Sequence, residues 1–272
     1  MMKTVKKAGI GIFLLVFSFI VLFPLFDMVI MATYPSEELF GSLKLAPGRY
    51  FFNNLNTVMH NRFWKYLLNS FIISTTAALG GALVSTMAGY AFAKFHFRGE
   101  KVLFGIVMST LLIPMQIGLV GYIMEMRWLH LSNTRLPLIL KYLPNTFGVF
   151  WMTQSLRDAV PGELLLAARV DGGSETSIFF RIVMPLIKPA FITVFLLTFL
   201  NSWNGYLLPL VTVSNQELFP VTLAISMFRG EYLVDYAAKI TATMMGVIPI
   251  LGGYSILSRY FVSGITAGSV KE

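Results

Sequence analysis

The chain has 272 residues, of which 56% are hydrophobic and only 12% are charged, about half the charged share of a soluble domain. That balance excludes a soluble globular protein and reads as a membrane protein. The absence of cysteine excludes a disulfide framework, a thiolate metal site and a thiol nucleophile; the net charge of +8 is read as an orientation signal, not as a nucleic-acid footprint.

A hydrocarbon core about 30 Å thick needs about 20 apolar residues per helical crossing. Six stretches qualify: 10–33, 67–93, 102–124, 136–156, 190–213 and 240–258. They are continuous rather than alternating, so helices are expected and barrel strands are not. The first follows Lys3, Lys6 and Lys7 in the manner of a signal peptide. Its apolar run is too long for one, and no small-x-small cleavage site follows, so it is read as an uncleaved span. Asp27 lies near its outer end, where hydration is expected. The long connection at 34–66 is rich in aromatic residues and Asn, which suits the outer interface.

In the second span Ala77, Gly81, Ser85 and Gly89 recur every fourth residue. Such a stripe lets another backbone approach closely, although Gly and Ala are also common in spans generally. Pro114 in the third span and Pro249 in the sixth remove intrahelical hydrogen bonds and predict kinks. Gln116 follows Pro114. Lys141, near the start of the fourth span, is long enough to snorkel. The fifth span contains "TFLNSWNGYLLPL", which places Asn201, Trp203, Asn204 and Tyr206 together at depth. Neutral hydrogen-bonding groups beside aromatic faces suit a path for an uncharged, hydroxyl-rich solute. Holding helices together is the other use of such groups. No internal repeat is evident.

Of the 21 basic residues, a cytoplasmic N-terminus puts twelve inside and nine outside. The short loop "KFHFRGEK" carries the clearer signal, because short loops dominate the positive-inside rule. Both termini and residues 157–189 are therefore expected in the cytoplasm. The chain contains no G-x-x-x-x-G-K-[ST], H-E-x-x-H or G-x-S-x-G. His60, His96 and His130 fall in separate loops, so no metal site is expected. No carboxylate lies in mid-span where a proton relay would need it.

The segment "PGELLLAARVDGGSETSIFFRIVMPLIKP" interrupts this pattern. Pro161 and Glu163 suit a first helical turn, and Gly172 suits a C-terminal cap. Ser174 can cap a second helix, which Pro185 and Pro189 disrupt. Two short helices broken at "DGG" are predicted. Leu164, Leu165 and Ala168 are assigned to one low-relief face of the first, suited to a groove in another protein. The alternative is a helix lying on the inner leaflet, which normally carries more Lys/Arg than Arg169 alone.

The spacing of Ala167-Ala168, Asp171-Gly172-Gly173, Phe179, Ile182, Pro185-Leu186 and Pro189 resembles the cytoplasmic EAA loop of ATP-binding cassette importer permeases. Further stretches, including "AGYAFAKFHFRG", "LIPMQIGLV", "WNGYLLPLV" and "RYFVSGITAGSV", are similar to the carbohydrate-uptake branch, in particular its maltose-type second permease subunit. The resemblance implies an all-α membrane protein in which residues 1–272 form one domain with six transmembrane helices and a cytoplasmic coupling helix. It implies a sugar-import subunit of a bacterial inner membrane that is not itself an enzyme. The implied partners are a second homologous permease, two cytoplasmic ATPase subunits and an extracytoplasmic solute-binding protein, with ATP and magnesium held by the ATPases. Glu163, Leu164, Ala167, Ala168, Asp171, Gly172, Phe179 and Pro185 would then serve ATPase coupling. The family pattern begins with Glu where this chain has Leu166. A permease for peptides or polyamines shares such a loop, but a cation path calls for acidic residues in the spans. A stand-alone secondary carrier has no use for a docking loop.

Overall fold

The computed structural model describes residues 2–41, 44–114, 116–228 and 234–267. Arg229, Lys271 and residues 268–270 of the C-terminal resemblance lie outside them. Among the described residues every regular element is helical. The chain divides into two compact units, Met1–Lys65 with Ala224–Pro249, and Tyr66–Leu223 with Ile250–Glu272.

In the first unit, helix α1 (Met2–Met31) begins with Lys3, Lys6 and Lys7 and is apolar on all sides from Gly9 to Phe26. Its stretch Gly9–Met31 is long and apolar enough to cross a membrane and is not buried within the protein, as expected for a helix whose partner is lipid. At its C-terminal end Ile30 and Ala32 become buried. Asp27 is half-buried there, and its Oδ1 has no hydrogen-bond partner among the described residues. Helix α2 (Phe51–His60) closes this end: Asn54 Nδ2 donates to the carbonyls of Ala32 and Tyr34, each at 2.9 Å. Carbonyls that a helix end leaves without partners are thereby satisfied.

The second unit is built around α3 (Phe63–Lys94), which among the described residues is the other single helix both long and apolar enough to cross a membrane. Next come α4 (Glu100–Ser109), α5 (Leu119–Trp128), α6 (Leu136–Leu140) and α7 (Thr146–Ala159). The segment after α7 contributes α8 (Gly162–Val170), α9 (Glu175–Ile178) and α10 (Met184–Leu186), the last two joined by a π-helical turn over Phe179–Val183. Helices α11 (Lys188–Trp203), α12 (Leu207–Thr212) and α13 (Val221–Ile225) precede α14 (Tyr236–Ala267).

Three of the predicted spans are interrupted, not continuous. The 102–124 run leaves the helix at Ile113 (φ −87°, ψ 118°), because the Pro114 ring pushes the preceding residue into extended conformation. The expected kink is a break. The 136–156 run stops after α6 and restarts at Asn145, whose side chain accepts from Gly148 N at 2.9 Å and caps α7. The 190–213 run opens at 204–206, between α11 and α12. Helix α14, by contrast, continues through Pro249. The pair 175–186 and 188–203 meets at 83°, with Pro189 in the first turn of α11.

The small-residue stripe of α3 lies against the α6–α7 junction. A Cβ on Gly81 would come within 2.6 Å of Tyr142 O, and one on Gly89 within 2.8 Å of Met152 Cβ. Ser85 Oγ, between them, donates to Asn145 O at 3.3 Å. At the C-terminal ends of α3 and α7, Lys94 Nζ donates to Val160 O at 2.5 Å and an Arg157 guanidinium N–H to Phe92 O at 3.4 Å. Cations thus meet the carbonyl ends of both helices, where the dipole favours them.

Candidate functional site: the loop at 161–189 and the broken fifth span

Helix α8 starts after Pro161 (φ −62°, ψ 141°), with Glu163 in its first turn. It ends in a Schellman motif: Gly172 N–H donates to Arg169 O at 3.0 Å and Gly173 N–H to Ala168 O at 2.9 Å. Gly172 takes φ +82°, a conformation that costs an L side chain about 1–2 kcal/mol. Gly173 is needed for a different reason, since a Cβ there would lie 2.8 Å from Ala168 O. Ser174 Oγ then accepts from Ser177 N at 3.3 Å and caps α9.

The helix is turned differently from the expectation. Leu165 is only 2% exposed and packs with Tyr90, Leu156, Ile178 and Phe179 in a core shared with α3 and α7. Ala168 is half-buried against the same core. The outward face consists of Glu163, Leu166, Ala167 and Val170, with Leu164 at its edge, an i, i+3, i+4, i+7 stripe. Val170 is 87% and Leu166 59% exposed. Asp171, Gly172 and Pro185 are exposed. Phe179 faces the core, 5.5 Å from the Tyr90 ring.

A group with no counterpart among the sequence expectations lies behind α8. Glu175 Oε1 accepts from Arg169 Nε at 2.6 Å, and Glu175 Oε2 accepts from the Tyr90 hydroxyl at 3.3 Å. The Arg169 guanidinium lies 5.7 Å from the centre of the Phe95 ring. Its hydrogen bond holds the Glu175 carboxyl below the usual carboxylate range.

At the broken fifth span, Asn201, Asn204 and Tyr206 are exposed. Trp203 is 2% exposed and stacks on Phe199 at 5.4 Å, so its ring belongs to the core and not to that polar surface. The opening is held by Tyr142, whose hydroxyl donates to Asn201 O at 3.2 Å, and by Thr222, whose Oγ1 donates to Gly205 O at 2.7 Å. Gly205 allows this approach, since a Cβ would sit 3.1 Å from the Tyr142 hydroxyl. Gln116 is exposed in the turn between α4 and α5. Lys141 Nζ lies 5.5 Å from the centre of the Tyr122 ring. Among the described residues no three His, Asp or Glu side chains are grouped to hold a metal ion.

Residues 81–265 match the family of binding-protein-dependent transport system inner membrane components. The chain is 29% identical to the arabinooligosaccharides transport system permease protein AraQ of Bacillus subtilis (strain 168), over 98% of this chain and 97% of that one. It is 32% identical to the AraQ protein of Halalkalibacterium halodurans, over 93% and 92% of the two chains. Among solved structures, it is similar to a chain of a bacterial ABC transporter involved in the import of the acidic polysaccharide alginate. That match has a TM-score of 0.82 at 22% identity and covers 95% of this chain and 97% of the other, which is a likeness of fold. With more than half of its length matched to the family and a relative above 30% identity spanning nearly all of it, the chain belongs to the binding-protein-dependent transport system inner membrane components.

Proposed function

We propose that this chain is the membrane-spanning permease subunit of an ATP-driven carbohydrate importer. The carrying observation is α8: a short helix anchored from behind by Leu165, whose outer face presents Leu166 and Val170 in exposed positions. Such a face fits a groove in a partner protein. In this reading the partner is a cytoplasmic ATPase, with Glu163, Leu164, Ala167, Asp171 and Gly172 around the contact and Ala168, Phe179 and Pro185 shaping the loop behind it. The carbohydrate class rests on the relatives named for arabinooligosaccharides.

In the full transporter residues 1–272 act as one permease domain with six crossings and both termini in the cytoplasm. The chain pairs with a second permease to enclose the path. An extracytoplasmic binding protein delivers the sugar, and two ATPase subunits hold ATP and magnesium, so this chain binds no cofactor. ATP binding and release select between two helix packings that open to opposite sides. In purified, reconstituted complexes, uptake should require both the binding protein and ATP. A lone chain that transports without an ATPase overturns the reading.

The solute-facing residues are Asn201, Asn204 and Tyr206, with Gln116 assigned to the same path. Losing one hydrogen bond to an uncharged solute costs about 0.5–1.5 kcal/mol, so Asn204→Ala should reduce uptake about 2–10-fold at unchanged complex yield. Labelled-oligosaccharide uptake, normalised to assembled complex, checks this. If assembly is lost instead, Asn204 holds helices together.

A further inference from the structure

If α8 were joined to the membrane helices only through the Asp171–Gly173 turn and the single buried side chain of Leu165, a push on its outer face could pivot it. Leu165 fixes one point. The second point lies one turn on, where Arg169 in the last turn of α8 meets Glu175, the first residue of α9. The same carboxylate reaches Tyr90 near the cytoplasmic end of α3. One side chain thus ties three elements. The aromatic setting makes the tie directional: Phe95 meets Tyr90 edge-on at 5.3 Å, and Phe179 lies 5.5 Å from Tyr90. As an ion pair, the contact is half-open, with Arg169 and Glu175 side chains 35% and 47% exposed. Such pairs contribute little to stability. Its content is geometric, because it joins the docking helix to a long membrane helix through rigid rings.

We propose that Glu175 is a positioning residue that fixes α8 to the cytoplasmic end of α3, so that a displacement of α8 is passed to α3 and is not absorbed at the Gly172–Gly173 turn. The proposal rests on the reading of α8 as the docking helix. The mechanical tie itself is independent of any partner.

Two measurements separate the cases. The chain contains no cysteine, so spin labels at His96→Cys and Val170→Cys report only the two chosen sites. In the full-length chain alone, Glu175→Ala should broaden the distance distribution between them. In the reconstituted complex it should reduce ATP-driven uptake about fivefold or more while ATP hydrolysis stays within about twofold. The charge-swapped pair Arg169→Glu with Glu175→Arg should restore part of the uptake. An unchanged distance distribution overturns the tie. Parallel loss of hydrolysis and uptake, without rescue by the swapped pair, assigns Glu175 to assembly only and also overturns it. If the unmodified complex shows no ATP-dependent uptake, the functional reading fails, while the distance measurement still decides on the tie.

Discussion

Leucine in place of Gly89 is expected to lower the thermal unfolding midpoint of the purified chain by on the order of 5–10 °C and to reduce the recovery of folded protein. A Cβ at Gly89 would stand 2.8 Å from Met152 Cβ, 2.9 Å from Thr153 N and 3.0 Å from Met152 C. Two of these are backbone atoms, and Met152 is fully buried, so no rotamer change removes the clash and α3 must separate from α7. Overpacking of this kind typically costs about 1–3 kcal/mol, against a total stability of about 5–15 kcal/mol. Gly148, across the same seam, is confined by Ser85, so the loss should spread along the interface. Gly105 is the matched control: it lies in α4 with nothing within 4 Å of its Cβ position. Gly105→Leu should leave the midpoint nearly unchanged. Equal behaviour of the two variants would mean that the α3–α7 seam is not tightly packed.

The local chemistry of the loop is legible in the sequence, because each signal acts within a few residues. Gly172 past a run of helix formers specifies the Schellman ending, and Ser174 with Glu175 specifies the start of α9. The orientation of α8 is not legible there. Leu164, Leu165 and Leu166 are consecutive, so three rotations of the helix present equally apolar faces, and only contacts with Tyr90, Leu156 and Phe179 select Leu165 as the buried one. Trp203 is within reach of a periodicity argument: Leu196, Phe199 and Trp203 follow i, i+3, i+7 and all three are buried. The polar company of Asn201 and Asn204 conceals that stripe. Apolar run length counts residues, not hydrogen bonds, so it carries the 136–156 and 190–213 spans across Pro144 and Gly205, where the helices stop. The Arg169–Glu175–Tyr90 group has no sequence signal, since it joins positions 85 residues apart across a helix break.

Tryptophan at Gly172 is expected to leave the chain folded while reducing ATP-driven uptake about tenfold or more, within the range of a coupling loss of 1–3 kcal/mol. The position is exposed and nothing lies within 4 Å of its Cβ, so there is open space for the ring to enter. The strain of φ +82° is about 1–2 kcal/mol, small beside the total stability. The added bulk projects beside Val170 and Asp171, at the end of the face assigned to the ATPase groove. Two milder variants divide strain from bulk. Asparagine tolerates the left-handed conformation and should behave nearly as glycine does. Alanine carries the strain without the bulk, so it should reduce uptake only a few-fold. A graded loss from asparagine through alanine to tryptophan, with hydrolysis persisting as uptake falls, locates the effect at the docking surface. Equal losses for alanine and tryptophan would locate it in the backbone turn, where the Gly172 and Gly173 N–H groups close α8. Unchanged uptake with tryptophan would remove residues 162–172 from the coupling path altogether, because no groove that admits the present surface could also admit that ring without displacement.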